Sequence, residues 1–130
     1  MGRQADTAAW HESLVRVRYG EVDRMGVLHH RHYLTYFENG RTAMLRDLGA
    51  SYRDVEDSGT LLVVVETGVR YMRPAGYDDL LTIRTRLAEA RGVRVRFEYE
   101  IRREGRLLAT GFTVLASCDA RGRPKRPRRN

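Results

Sequence analysis

Apolar residues recur with a period of two in several short stretches of the chain and with a period near 3.6 in one, the signatures of strands and of a helix respectively. Leu14, Val15, Val17 and Tyr19, interleaved with Arg16 and Arg18, predict a first strand. From Tyr33 onward Leu34, Phe37, Met44, Leu45 and Leu48 fall on one helical face, and Gly49 stands where a C-terminal cap belongs, which predicts a single helix of about four turns. Residues 60 to 73, TLLVVVETGVRYMR, are apolar and β-branched enough for a long strand with a bulge or bend at Gly68, ended by Pro74, Ala75 and Gly76. Leu81, Ile83, Thr85 and Leu87 alternate with Thr82, Arg84 and Arg86. After Arg91 and Gly92, Val93, Val95, Phe97, Tyr99 and Ile101 alternate with Arg94, Arg96, Glu98, Glu100 and Arg102. This is a long hairpin with one apolar face, and Glu104 and Gly105 then turn the chain into a last strand from Arg106 to Ser117. A polar connector from Ala50 to Gly59 is expected to hold one short helical turn around Tyr52 to Glu56.

Five strands with one long helix after the first make an antiparallel α+β domain whose sheet curls round the helix. Such a sheet leaves one face half covered, so its outer apolar positions call for a partner and predict a homodimer or a tetramer of dimers. Residues 13–120 form this one domain, between a flexible N-terminus, 1–12, whose Trp10 packs onto the body, and a basic tail, 121–130.

Composition adds little until the charge is located. With 42% hydrophobic and 32% charged residues the chain is an ordinary globular one, and the absence of any long apolar run or leader pattern makes the cytoplasm the expected location. The net charge of +7 suggests nucleic acid, but Arg121, Arg123, Lys125, Arg126, Arg128 and Arg129 supply six of those charges. The remaining body is nearly balanced, so the basic footprint belongs to a solvated tail and nucleic-acid binding is not its expected work. Cys118 is the only cysteine, which excludes an intrachain disulfide and a thiolate metal site and fits a small buried hydrophobe.

The titratable residues gather in residues 18 to 49. Glu21 and Asp23 lie in a turn, Gly26 allows backbone close to a ligand, and His29, His30 and His32 precede a helix start whose free N–H groups suit an anion or a polarised carbonyl oxygen. Asp23 has two readings, a turn-forming residue that bonds the backbone two positions on, or a working carboxylate. The HHRH run does not place two imidazoles on one helical face beside a third ligand, so no metal is expected. Arg41 falls in the apolar stripe with Glu38 one turn away to neutralise it, and Gly40 in mid-helix suggests close approach of another backbone.

The spacing Tyr19, Asp23, Gly26, Val27, His30, Tyr33, Glu38, Arg41, followed by Tyr71, Arg73, Pro74 and Ala75, resembles the hotdog-fold acyl-CoA thioesterases of the 4-hydroxybenzoyl-CoA and Tol-Pal-associated type. The resemblance covers most of the chain. It implies a curved antiparallel sheet of about five strands wrapped around the helix and hydrolysis of an acyl-CoA, or an acyl-carrier-protein thioester, with no metal or redox cofactor. Asp23 is then the nucleophile or general base, N–H groups near His30 hold the oxyanion, His30 orients water or thioester, and Glu38 is the next carboxylate. Met25, Gly26, Val27, Tyr33 and Phe37 line the acyl site, and Arg91 and Arg94 lie near the coenzyme phosphates. A homo-oligomer is implied as well. The rivals are a hydratase or dehydratase on the same fold and a non-enzymatic RNA-binding protein. Two residues depart from the pattern. Val22 stands where relatives often have Thr, and His32 replaces an Asn that would cap the helix.

Overall fold

The computed structural model describes residues 9–49 and 59–126, so the expected helical turn at Tyr52 to Glu56 lies outside the described residues. Five antiparallel strands, β1 (His11–Arg16), β2 (Leu61–Tyr71), β3 (Leu80–Arg91), β4 (Arg94–Arg103) and β5 (Arg106–Cys118), form one sheet in the order β1-β3-β4-β5-β2. The sheet packs on one helix, α1 (Tyr33–Asp47), as expected of a hotdog fold. The period-two pattern holds best in the central strands. Leu81, Ile83, Thr85, Phe97, Tyr99 and Ile101 are buried beneath the helix, while the residues between them face outward.

Several expectations shift by a position or a face. β1 begins at His11 rather than Leu14 and ends before Tyr19, which lies in a short 3₁₀ turn and is exposed. The helix buries Tyr33, Tyr36, Phe37, Gly40 and Arg41, while Leu34 and Leu48 face solvent. Two tyrosines take the place assigned to leucines because a ring can bury its body and keep a polar tip bonded. Gly49 follows the helix with φ +85°, as a C-terminal cap requires. Gly68 is in register opposite Phe112 and the bulge falls at Val65 instead; the glycine is needed because a Cβ there would lie 2.6 Å from the Phe112 ring.

The close approach at Gly40 involves side chains of β3 and no backbone: a Cβ would lie 2.6 Å from Thr85 Oγ1 and 2.8 Å from Ile83 Cγ2. Arg41 is buried as expected. Its Nη1 donates to Tyr99 Oη at 2.8 Å and Thr113 Oγ1 at 3.4 Å, so among the described contacts its partners are hydroxyls rather than Glu38. Phe37 stacks on Tyr99 with ring centres 4.4 Å apart and fills the space over Gly111.

The outer face of β3 and β4 carries the charged residues of the alternation rather than the apolar positions inferred from a half-covered sheet. Cross-strand pairs join Arg84 to Glu100 at 2.8 Å and Arg86 to Glu98 at 2.7 Å, and Trp10 lies against both guanidinium groups, packing onto the body as anticipated. Exposed apolar residues lie on the two edge strands, as a run on β2 at Val63, Val64 and Val65 and at Leu14 on β1. The start of the basic tail, residues 121–126, is mostly exposed and holds a local turn. Gly122, at φ +84°, closes a turn on Asp119, which brings Pro124 beside Cys118 and lets the Lys125 N–H donate to Ser117 O at 3.0 Å. Cys118 itself is buried.

Candidate functional site

Residues 17 to 32 form a folded-back loop between β1 and α1. Val17 anchors it, fully buried and bonded in both directions to the segment before β3, with its N–H to Asp79 O at 2.9 Å and its carbonyl to Asp78 N at 3.0 Å. Val22 then bridges Leu28, and the Asp23 N–H donates to Val27 O at 2.9 Å. The tip is a turn in which Gly26 N donates to Asp23 O at 2.9 Å. Gly26 takes φ +81°, a conformation that disfavours any side chain.

Asp23 builds this turn. Its Oδ1 accepts from Met25 N at 2.8 Å and Val27 N at 3.3 Å, the local bonding of a turn aspartate. The two readings of Asp23 are compatible, because only Oδ1 is used. Among the described residues no hydrogen bond reaches Oδ2, and the side chain is exposed. The turn thus fixes the carboxylate's rotamer and leaves one oxygen facing solvent.

The other wall comes from the chain after β2. Leu28 N donates to Ala75 O at 2.8 Å and Val27 bridges Gly76, so the Tyr71–Ala75 segment lies directly against the loop. Asp79 holds this wall: its Oδ2 accepts from Gly76 N and from Arg103 Nη1, each at 2.7 Å. The Gly76 amide bond, aided by Arg103 and against partial burial, keeps the Asp79 carboxyl below its ordinary range.

The helix start solves the capping problem posed by His32. The chain enters α1 through a 3₁₀ turn, His30–His32, and His29 Nδ1 accepts from Arg31 N at 3.2 Å in place of the missing Asn. This function of His29 was not legible beforehand. Burial and the neighbouring His30 and Arg31 lower the His29 pKa, against the opposing pull of the Asp23 charge, so the ring remains a neutral acceptor near pH 7. His29 stacks on the exposed His30 at 4.3 Å. The Arg31 N–H is taken by His29 and the His32 N–H by the His29 carbonyl, whereas the His30 N–H has no acceptor among the described residues.

Beside His30 a cleft of about 260 Å³ is lined by Leu28, Tyr33, Tyr71, Met72 and Pro74. Tyr33 meets the Tyr71 ring edge-on at 4.8 Å, and burial, then Tyr71, raises the pKa of its hydroxyl. Asp23, Met25, Gly26, Val27, His30 and Tyr33 therefore share one loop and helix start. Phe37 does not join them, being fully buried against Tyr99, and Glu38 is exposed on the next turn of the helix.

Arg91 and Arg94 are brought together with each other but not with Asp23. They pair across the β3–β4 turn, whereas Leu80, at the other end of β3, follows the Asp79 wall. A strand rising about 3.3 Å per residue puts the arginines on the order of 35 Å from the loop within one chain.

A family model described as "Thioesterase-like superfamily" matches residues 17–129. YneP of Bacillus subtilis is 37% identical over 87 residues, which make up 67% of this chain and 63% of YneP. The acyl-CoA thioesterase YbgC of Haemophilus influenzae is 35% identical over 112 residues, 85% of this chain and 82% of that protein. Among solved structures, a DHNA-CoA thioesterase from Staphylococcus aureus superposes with a TM-score of 0.86 at 32% identity, covering 90% of this chain and 80% of that one.

Proposed function

The chain belongs to the thioesterase-like superfamily, and from that premise we propose that it hydrolyses an acyl-CoA thioester to a free acid and the coenzyme thiol, with Asp23 as the working carboxylate. The observation that carries the assignment of Asp23 is its divided bonding. Oδ1 is tied to the Met25 and Val27 amides, while Oδ2 has no hydrogen bond among the described residues and the side chain is exposed. Oδ2 either takes a proton from water, whose oxygen attacks the thioester carbonyl, or attacks that carbonyl itself to give a mixed anhydride that water then opens. In both routes the carbonyl oxygen becomes an oxyanion, and the His30 N–H at the mouth of the helix is the donor available to it. Collapse of the tetrahedral species breaks the C–S bond and expels the thiolate, which takes up a proton.

The cleft of Leu28, Tyr33, Tyr71 and Met72 takes the acyl group. A carrier-protein thioester is the second reading, favoured by similarity to an acyl-acyl carrier protein thioesterase of Arabidopsis thaliana, 28% identical over 92 residues. The enzyme works as a homo-oligomer in the cytoplasm. Val63, Val64 and Val65 are exposed on β2, whose outer edge has no strand partner in the sheet, a surface that natural proteins cover. A second copy would also bring its Arg91 and Arg94 toward coenzyme phosphates that the same chain's arginines are too distant to reach. Release of free thiol from a panel of short, long and aromatic acyl-CoAs, set against enoyl-CoA hydration, tests the activity. Sedimentation tests the assembly, and a fully active monomer would refute it.

A further inference from the structure

The exposed turn that carries Asp23 has to be held from its base, and one side-chain contact there is built unlike the rest. Glu21 Oε1 accepts two hydrogen bonds, from Tyr36 Oη at 2.6 Å and from Arg18 N at 2.9 Å. Tyr36 is 1% exposed in the first turn of α1, so this oxygen ties the loop to the buried face of the helix. The Glu21 carbonyl in turn accepts from His29 N at 2.9 Å, and the next residue, Val22, bridges Leu28. Glu21 therefore stands at the foot of the two-stranded ladder whose tip is the Asp23 turn, and its main chain also fixes His29, the cap of the helix entry.

The ionisation states agree with this geometry. Burial alone would raise the Glu21 carboxyl, but the Tyr36 hydroxyl and the Arg18 amide, with the nearby His32 and Arg18, outweigh it and keep the group ionised at neutral pH. Burial, and then the Glu21 hydrogen bond, push the Tyr36 hydroxyl far above the ordinary tyrosine value, so it remains the donor. A charge-assisted O–H···O⁻ bond of this length is among the stronger ones a side chain makes.

We infer that the Tyr36–Glu21 pair is a positioning device that sets Asp23 and the His30 amide in register across the reacting carbonyl. Neither residue touches the substrate. Both Oε1 bonds need an acceptor oxygen and no charge, which separates positioning from chemistry. An angstrom of misplacement is enough to cost a catalytic group one to two orders of magnitude. The kinetic part of the inference rests on the hydrolase reading above.

The test uses the full chain with Tyr36→Phe, Glu21→Ala, Glu21→Gln and the Tyr36→Phe/Glu21→Ala double variant. On an acyl-CoA that the parent hydrolyses, Tyr36→Phe and Glu21→Ala should lower kcat about tenfold with KM within about twofold. Glu21→Gln, whose amide oxygen can accept both bonds, should retain near-parental kcat, and the double variant should be no slower than Glu21→Ala, as expected of one coupled unit. Amide exchange supplies a readout that does not depend on activity. In Tyr36→Phe the Asp23 and His29 N–H groups should lose protection by about tenfold relative to the Tyr99 and Ile101 amides of β4. A parent without thioesterase activity would sink the proposed function and leave the exchange result to decide the clamp. Unchanged protection at Asp23 and His29, parental kcat in Tyr36→Phe, or a Glu21→Gln variant as slow as Glu21→Ala would overturn the positioning role.

Discussion

Gly40→Ala is a substitution for which helix propensity and packing predict opposite signs. In the middle of an exposed helix the change would stabilise by about 1 kcal/mol. Here the new Cβ would fall 2.6 Å from Thr85 Oγ1 and 2.8 Å from Ile83 Cγ2, and both side chains are fully buried on β3, which is hydrogen-bonded on both sides by β1 and β4. Neither can withdraw, so the helix must lift. Overpacking of this kind costs about 1–3 kcal/mol, and after the propensity gain a net loss of up to about 2 kcal/mol remains. For a domain of this size that corresponds to a Tm lower by up to roughly 8 °C, read by thermal denaturation at fixed protein concentration, because assembly would make Tm concentration-dependent. Thr85 Oγ1 has no hydrogen-bond partner among the described residues, so Thr85→Ala removes the nearer of the two obstacles without breaking a bond there and leaves Ile83 Cγ2 in place. The Gly40→Ala/Thr85→Ala pair should therefore be more stable than the sum of the single effects by at least about 0.5 kcal/mol. A Gly40→Ala variant more stable than its parent would mean that the helix does not rest on β3 as described.

Two further predictions concern charge. Arg91→Ala with Arg94→Ala should raise KM severalfold with little change in kcat, and mixing these subunits with Asp23→Asn subunits should restore a low-KM fraction, since one site of each hybrid has both sets of groups; an unchanged KM would remove the arginines from the coenzyme site. Acid stability follows from carboxyls whose pKa values are lowered on folding, Glu98 by the Arg86 hydrogen bond and Asp79 by the Gly76 amide. Their contribution is complete above the unfolded carboxyl pKa of about 4 and is lost as the pH falls through the lower folded values. Tm measured against pH should thus decline slightly below about pH 6.5 as His29 charges and fall steeply only below about pH 4, where Glu98→Gln should fall less steeply; a Glu98→Gln variant with the parent's slope below pH 4 would contradict this assignment.

The strands were legible because two faces of a sheet impose a strict alternation, and Arg94 to Arg102 wrote the outer face in charge as plainly as the inner one in apolar residues. Arg41 was legible as an anomaly within an apolar stripe. What stayed hidden depends on contacts distant in sequence. Tyr36 was passed over because a tyrosine at one helical position does not announce whether its hydroxyl has a partner, and that partner, Glu21, is fifteen residues away on a loop. The Asp79–Arg103 brace spans a still longer separation. His29 looked like any surface histidine until the helix was seen to begin through a 3₁₀ turn, which puts its Nδ1 against the Arg31 amide. The edge position of β2, which explains its exposed valines, depends on strand order, and local periodicity carries no information about that.

Asp23→Asn tests the central claim most directly. The substitution keeps an Oδ1 acceptor for the Met25 and Val27 amides, so the turn, the cleft and the melting temperature should survive, while the charge and basicity at the second position are lost. General-base assistance is worth about 10²- to 10⁴-fold, so kcat on an acyl-CoA that the parent hydrolyses well should fall at least about a hundredfold with Tm nearly unchanged. Near-normal turnover in a stably folded Asn variant would remove Asp23 from the chemistry, leave it a turn residue, and make Glu38 the next carboxylate to test.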